Sequence, residues 1–210
     1  VFDADQASVM RIWKLIVADT AIRDVTQAFE ENPALSAQLI SYMNSAAFHF
    51  KAPIRSIQQV LTLLGRLPLM QWLLLTINAR GMSPQEQMPL QLLLINRIEI
   101  MLGLFRLIDQ KGMITEREVH FVGLLSFIDI LLNVPLSTVL EELNVDLEIR
   151  EALMDHKGLL GDLLKAARSI EHFNMDALES FLNDHDIPVD DVINLTLKTI
   201  EKVNTFETSI

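Results

Sequence analysis

Apolar residues recur at a helical period through almost the whole chain. Val9, Ile12, Trp13, Ile16 and Val17 line one side of residues 6–18, and a second amphipathic stretch covers 21–31. Asn32 followed by Pro33 is the pattern of a cap and a first helical residue, and it predicts a helix to about Ala46. Leu35, Leu39, Tyr42, Met43 and Ala46 share one face of that helix, with Asn44 at its edge. "KAPIR" reads as a loop. Ser56 and Gln59 have capping-box spacing and open a short helix that Gly65 stops. Pro68 restarts the chain into "LMQWLLLTINA", and "RGMSPQEQMP" (80–89) reads as a connection. A long apolar helix is predicted over about 90–110, ended by "QKG". Thr115 and Glu118 form a second capping box, and one helix is expected from there until Pro135 closes it. Shorter helices follow over about 136–143, 146–155, 159–173 and 175–185, with a last one over about 189–205 after Pro188. No run alternates as a half-buried strand does. The expected fold is all-α, with roughly ten to twelve helices in one domain over 1–210. If the domain has sub-lobes, they are 1–79 and 90–210, joined at 80–89.

Composition supports this. Half of the 210 residues are hydrophobic, but only one Tyr, two Trp and ten Phe are among them, so aliphatic residues must fill the core. Gly and Pro, seven each, are scarce enough to leave the helices uninterrupted. There is no cysteine, which excludes disulfides and thiolate metal sites and fits a reducing compartment. Spanning a bilayer takes roughly 18–20 apolar residues. The longest candidate, 88–108, is broken by Arg97, Glu99 and Arg106. A soluble, cytoplasmic chain without membrane insertion is expected. Because it begins at Val1, it is expected to be a fragment of a longer protein.

Charge is unevenly placed. Residues 1–140 hold 11 basic and 12 acidic side chains, whereas 141–210 hold 6 and 16. An acidic tail without a basic face argues against nucleic acid. It is either a solvated surface that aids solubility or a docking surface for a basic partner.

Candidate chemistry is sparse. Five histidines (49, 120, 156, 172 and 185) form no zinc motif, and no phosphate loop or nucleophile elbow is present. His185-Asp186 lies in "NDHDIP", which reads as a polar turn rather than a ligand pair on a rigid helix. In "HFVGLLSFIDILLNVP" (120–135), an unbroken helix puts Glu118, Ser126, Asp129 and Asn133 on one stripe about 80° wide, with Val122 among them, and points His120 about 120° away from Ser126. A lone carboxylate is a poor metal site and a lone serine a poor nucleophile, so the stripe is expected to hydrogen-bond with neighbouring helices or face a wet seam. Asn44 is expected to tie its helix end to the following loop, with ligand recognition as the alternative.

These residues together resemble a family. "ENPALSAQLISYMNSAAFHFKAPIRSIQQVLTLLG" (31–65) is similar to the HDOD signature, through Asn32, Pro33, Leu35, Asn44, Ser45, Ala46, Ile54, Ser56, Leu64 and Gly65. Asn32 replaces the usual Asp and caps equally well. "MQWLLL" with Trp72, "VGLLSFIDILLNVPLSTVLEEL" and "EIREALMDHKGLLGDLLKAARSIE" are similar to the subset that follows an EAL domain of cyclic di-GMP phosphodiesterase type. The resemblance implies descent from HD metal phosphohydrolases. Ser126 and Phe127 stand where a His-Asp pair would be, with Asp129 just beyond. It further implies a non-catalytic regulatory module of bacterial signalling whose partner is a protein or an attached signalling domain. No catalytic, cofactor-binding or metal-ligating residue is assigned, and no cofactor is expected. The alternatives are a residual metal phosphohydrolase using Asp129 and a small-molecule or nucleotide sensor.

Overall fold

In a computed structural model, residues 4–45, 53–78, 84–108 and 114–207 are described. They form thirteen α-helices, and no strand occurs among the described residues: α1 (Ala4–Val17), α2 (Ile22–Glu30), α3 (Pro33–Met43), α4 (Ile57–Leu64), α5 (Arg66–Asn78), α6 (Pro84–Leu107), α7 (Glu116–Leu125), α8 (Ile128–Leu132), α9 (Leu136–Leu143), α10 (Leu147–Met154), α11 (Gly158–Glu171), α12 (Met175–Asp184) and α13 (Val189–Glu207). The all-α expectation holds.

The caps explain most of the boundaries. Asn32 accepts a hydrogen bond from the Leu35 N–H, with Pro33 at the first helical position. At Thr115 both halves of the capping box form. At Ser56 the box is shifted by one residue. Its hydroxyl accepts from the Gln59 N–H at 3.2 Å, but the Gln59 side chain accepts from the Arg55 N–H at 2.9 Å rather than from Ser56 itself. Gly65 ends α4 at φ +81°, which glycine tolerates without strain. Asn133 and Asn144 end α8 and α9 in the left-handed region, each followed by a valine whose N–H closes back on the preceding turn.

Three expectations need correction. Helix α5 begins at Arg66, so Pro68 lies in its first turn, where a missing N–H leaves no intrahelical bond unmade. Helix α6 begins at Pro84 and carries Pro89 inside it, so the expected connection is helical over 84–89. Residues 79–83, the "QKG" stop at 110–112 and Ala46 lie outside the described residues. The third correction concerns the helix expected between Thr115 and Pro135. It breaks at Ser126–Phe127 into α7 and α8. Ser126 donates its hydroxyl to the Gly123 carbonyl at 2.7 Å, a side-chain bond that competes with the helical ladder.

One hydrophobic cluster runs through the domain, from Val9 and Trp13 on α1 to Val192 on α13. The long helix α6 packs against α7, α11 and α13. This places residues from three helices around its middle, where the candidate site lies.

Candidate functional site

Helix α6 carries Arg97 into the interior, where only 6% of the residue is exposed. Its neighbours along the helix, Leu94, Ile98 and Met101, are buried core residues, so the guanidinium has little water to solvate it. Protein groups take the place of water. Nε lies 3.0 Å from Glu171 Oε1 and Nη2 lies 2.6 Å from Oε2, a bidentate pair whose carboxylate side chain is itself 6% exposed. Nη1 donates to Ser126 Oγ at 3.1 Å, and the Ser126 hydroxyl in turn donates a hydrogen bond to the Gly123 carbonyl. The guanidinium carbon sits 3.9 Å from the Phe127 ring centroid, a cation–π distance. Gly123 makes the approach possible, because a Cβ there would meet Ile98 Cγ1 at 3.0 Å and Ile98 Cα at 3.4 Å. Absence of that side chain lets α7 lie close against α6.

The expected stripe on the 120–135 segment is therefore not one surface. The break after Leu125 gives α7 and α8 separate axes, and the four residues have separate duties. Glu118 closes the capping box, Ser126 binds Arg97, Asp129 lies half-buried in the first turn of α8, and Asn133 is the left-handed cap. Val122 is fully buried. His120 lies in partly buried surroundings with its Nε2 lacking a protein partner. Burial pushes its pKa below the ordinary histidine value, with the nearby Lys202 acting the same way and Glu99 opposing both. His185 packs against Phe181 with ring centroids 4.6 Å apart and planes tilted by 55°, and Asp186 takes a left-handed turn conformation, so this dipeptide closes α12. Among the described residues no group of three or more His, Asp or Glu side chains is placed to hold a metal ion.

The described signature residues between Asn32 and Trp72 make structural contacts. Asn44 caps the end of α3 and bridges to Ile54 twice. Its amide donates to the Ile54 carbonyl at 2.8 Å, and its oxygen accepts from the Ile54 N–H at 2.7 Å. Ser45 is exposed and donates its backbone N–H to Tyr42. Trp72 is buried on α5, with its ring 6.1 Å from that of Tyr42. Tyr42 has its pKa raised by burial. Asn32, Pro33, Ser56 and Gly65 serve as caps and stops, as described above.

The HDOD domain family model matches residues 5–147, more than half of the chain. The chain belongs to the HDOD family. Its matched span takes in α1 to α9 and includes Arg97, Ser126 and Phe127, whereas Glu171 and helices α11 to α13 lie beyond it. Uncharacterized protein YuxH of Bacillus subtilis (strain 168) is 26% identical over 173 residues, 79% of this chain. The HDOD chain spans only 40% of that relative's length. No solved structure matches the chain significantly.

Two members of the buried cluster, Arg97 and Glu171, escaped sequence reasoning. Arg97 was visible only as an interruption in an apolar run. A charge at core spacing among Leu94, Ile98 and Met101 is the signal that a buried counter-charge must exist. Glu171 stands 74 residues away at the end of α11, and nothing local marks it as that counter-charge.

Proposed function

We propose that this HDOD chain is a non-catalytic regulatory module of bacterial signal transduction that acts by binding a protein or an attached signalling domain. The observation that carries this reading is the engagement of Ser126 and Phe127. Both groups that stand where the family resemblance places a His-Asp pair are committed to Arg97, and Arg97 is committed to Glu171. The guanidinium already occupies the nearby Glu171 carboxylate, so that carboxylate is not free to ligate a metal ion. Phenylalanine offers no lone pair for ligation. Among the described residues no helix is long and apolar enough to cross a membrane, which is compatible with a module that reaches its partner from solution.

The finer reading couples the module to cyclic di-GMP through an EAL-type domain in the same protein, and its support is the sequence resemblance alone. The test has two arms. The purified chain is assayed for hydrolysis of bis(p-nitrophenyl) phosphate and cyclic di-GMP with added Mg2+ or Mn2+, and no turnover above the protein-free blank is expected. Metal-dependent turnover abolished by Asp129→Asn overturns the reading in favour of a residual phosphohydrolase. In the second arm, phosphodiesterase activity of the full-length protein is compared with and without residues 1–210. Unchanged activity and unchanged cyclic di-GMP response remove the coupling.

A further inference from the structure

We infer that an apolar groove between α12, α13 and α6 is the docking site for a basic amphipathic helix of a partner protein. This rests on the reading of the chain as an interaction module and names the surface and the partner's chemistry. Two adjoining cavities of about 420 and 440 Å³ form the groove and share Asn96 and Ile200 in their linings. Its floor is core, with Ile100, Leu178, Leu182 and Val192 all buried. Its walls are apolar and exposed.

Helix α13 shows why the groove is open. Val192, Leu195 and Thr199 face α6; Leu195 lies over Gly103, where a Cβ would overlap its side chain. Val189, Ile193, Leu197 and Ile200 recur at helical spacing on the adjoining arc, and each is about half exposed. The apolar arc of α13 is thus wider than its seat, and half of it has no cover among the described residues. Phe173 adds to the same surface from the turn after α11. It is 88% exposed and holds φ at +56°, a left-handed conformation that a bulky side chain rarely adopts. An aromatic ring held in water on a strained backbone is the kind of anchor that a partner surface buries. A contiguous apolar patch of this kind marks an interaction site more often than a bare surface.

Charge selects the occupant. Between residues 172 and 200 there are six carboxylates, Asp176, Glu179, Asp184, Asp186, Asp190 and Asp191, against the single Lys198. All six are exposed, and none is in an ion pair among the described residues. A second copy of this face would bring acid against acid, whereas a lysine- and arginine-edged helix would complement it. The stripe from Val189 to Ile200 is about 16 Å long at the helical rise, which matches about three turns of a partner helix laid along it.

The test is a fluorescence anisotropy titration of the 210-residue chain with a labelled 18-residue Leu/Lys peptide whose leucines follow i, i+3, i+4, i+7 spacing. The controls are a Leu/Glu peptide of the same spacing and a scrambled Leu/Lys peptide. Saturable one-to-one binding is expected for the first alone. Ile193→Glu with Leu197→Glu should weaken it at least tenfold, Phe173→Ala several-fold, and Asp190→Asn with Asp191→Asn several-fold in a salt-sensitive way. Circular dichroism melts show whether each variant keeps its fold, and Phe173→Ala, at a site almost fully in water, carries the test if the double variant does not. Equal binding by the wild type and the folded variants overturns the proposal. So does a wild-type dimer in sedimentation equilibrium that Ile193→Glu with Leu197→Glu dissociates, since the occupant is then a second copy. Absence of peptide binding together with absence of hydrolysis removes the groove and leaves the module. Hydrolysis with peptide binding intact removes the module reading and leaves the groove.

Discussion

Two regions along helix α6, which meet at Glu171, invert the usual placement of polar and apolar groups. Toward α7 and α11 it sends Arg97 into the core, where Glu171, Ser126 and Phe127 satisfy it from three sides. Toward α13 and the solvent it presents Leu93, Asn96 and Ile100 to a groove whose walls are exposed hydrophobic side chains. The buried region is polar and complete, since each strong donor and acceptor in it has a partner. The surface region is apolar and incomplete. Binding energy for a partner resides where apolar area can still be removed from water, and a buried ion pair with its partners in place has little left to offer a ligand. On the proposed reading, recognition belongs to the acidic C-terminal helices and stability to the cluster of Arg97, Glu171, Ser126 and Phe127.

The buried pair should give the largest effect. Arg97→Met leaves Glu171 as an uncompensated buried carboxylate and should cost about 3–5 kcal/mol by chemical denaturation, whereas adding Glu171→Met should restore a large part of the loss. A double variant no better than the single one would mean that the pair does not act as a closed unit. Next is the seat of α11, the helix that carries Glu171. A Cβ on Gly161 would lie 2.3 Å from the His156 carbonyl carbon, a backbone atom that cannot rotate aside. Gly161→Ala should therefore destabilise by about 1–3 kcal/mol, measured the same way. Asn44→Ala strips the Ile54 N–H and C=O of their partner and should cost a similar or smaller amount, about 1–2 kcal/mol. An unchanged melting midpoint would free Asn44 for a recognition role and narrow the contrast between the two regions.

Histidine 120 sharpens the comparison through pH. Its pKa is lowered in the folded state chiefly by burial, from an ordinary value of 6.5. Below that value the unfolded chain takes up a proton that the folded chain resists, so stability present above pH 6.5 falls as the pH drops toward the lowered folded value. His120→Gln should flatten this part of a denaturation-versus-pH profile. Its neighbours Glu99 and Lys202 form a 2.6 Å ion pair joining α6 to α13. The smallest effect belongs to the groove. Ile193→Glu with Leu197→Glu should shift stability by no more than about 0.5 kcal/mol per substitution, because both sites are exposed. A large loss would mean that α13 needs those side chains for its own packing.

Local chemistry made much of the fold legible. Asn32, Ser56 and Thr115 announce helix starts because each has a short side chain whose oxygen accepts from the backbone N–H three residues later. Gly65 announces a stop. Asn44 was readable as a tie because a helix edge facing a loop leaves backbone groups to satisfy. The break at Ser126 was not readable. An apolar helical period runs straight across it, and the Ser126 hydroxyl that bonds back to Gly123 also receives Arg97, 29 residues earlier. Arg97 stands out as a charge at core spacing, but nothing local marks Glu171, 74 residues later, as its partner. The groove was hidden differently. Helix α13 has the pattern of any amphipathic helix, and sequence alone does not tell which half of a wide apolar arc its own domain covers.

The most direct test of the contrast is a titration of the basic Leu/Lys peptide into 15N-labelled protein, followed residue by residue. Shifts confined to 89–100 and 173–203, with the amides of Asn44, Ser45, Ile54, Ser56 and Ser126 unmoved, are the predicted result. Shifts centred on 32–65 or on Ser126–Asp129, with α13 silent, would contradict it.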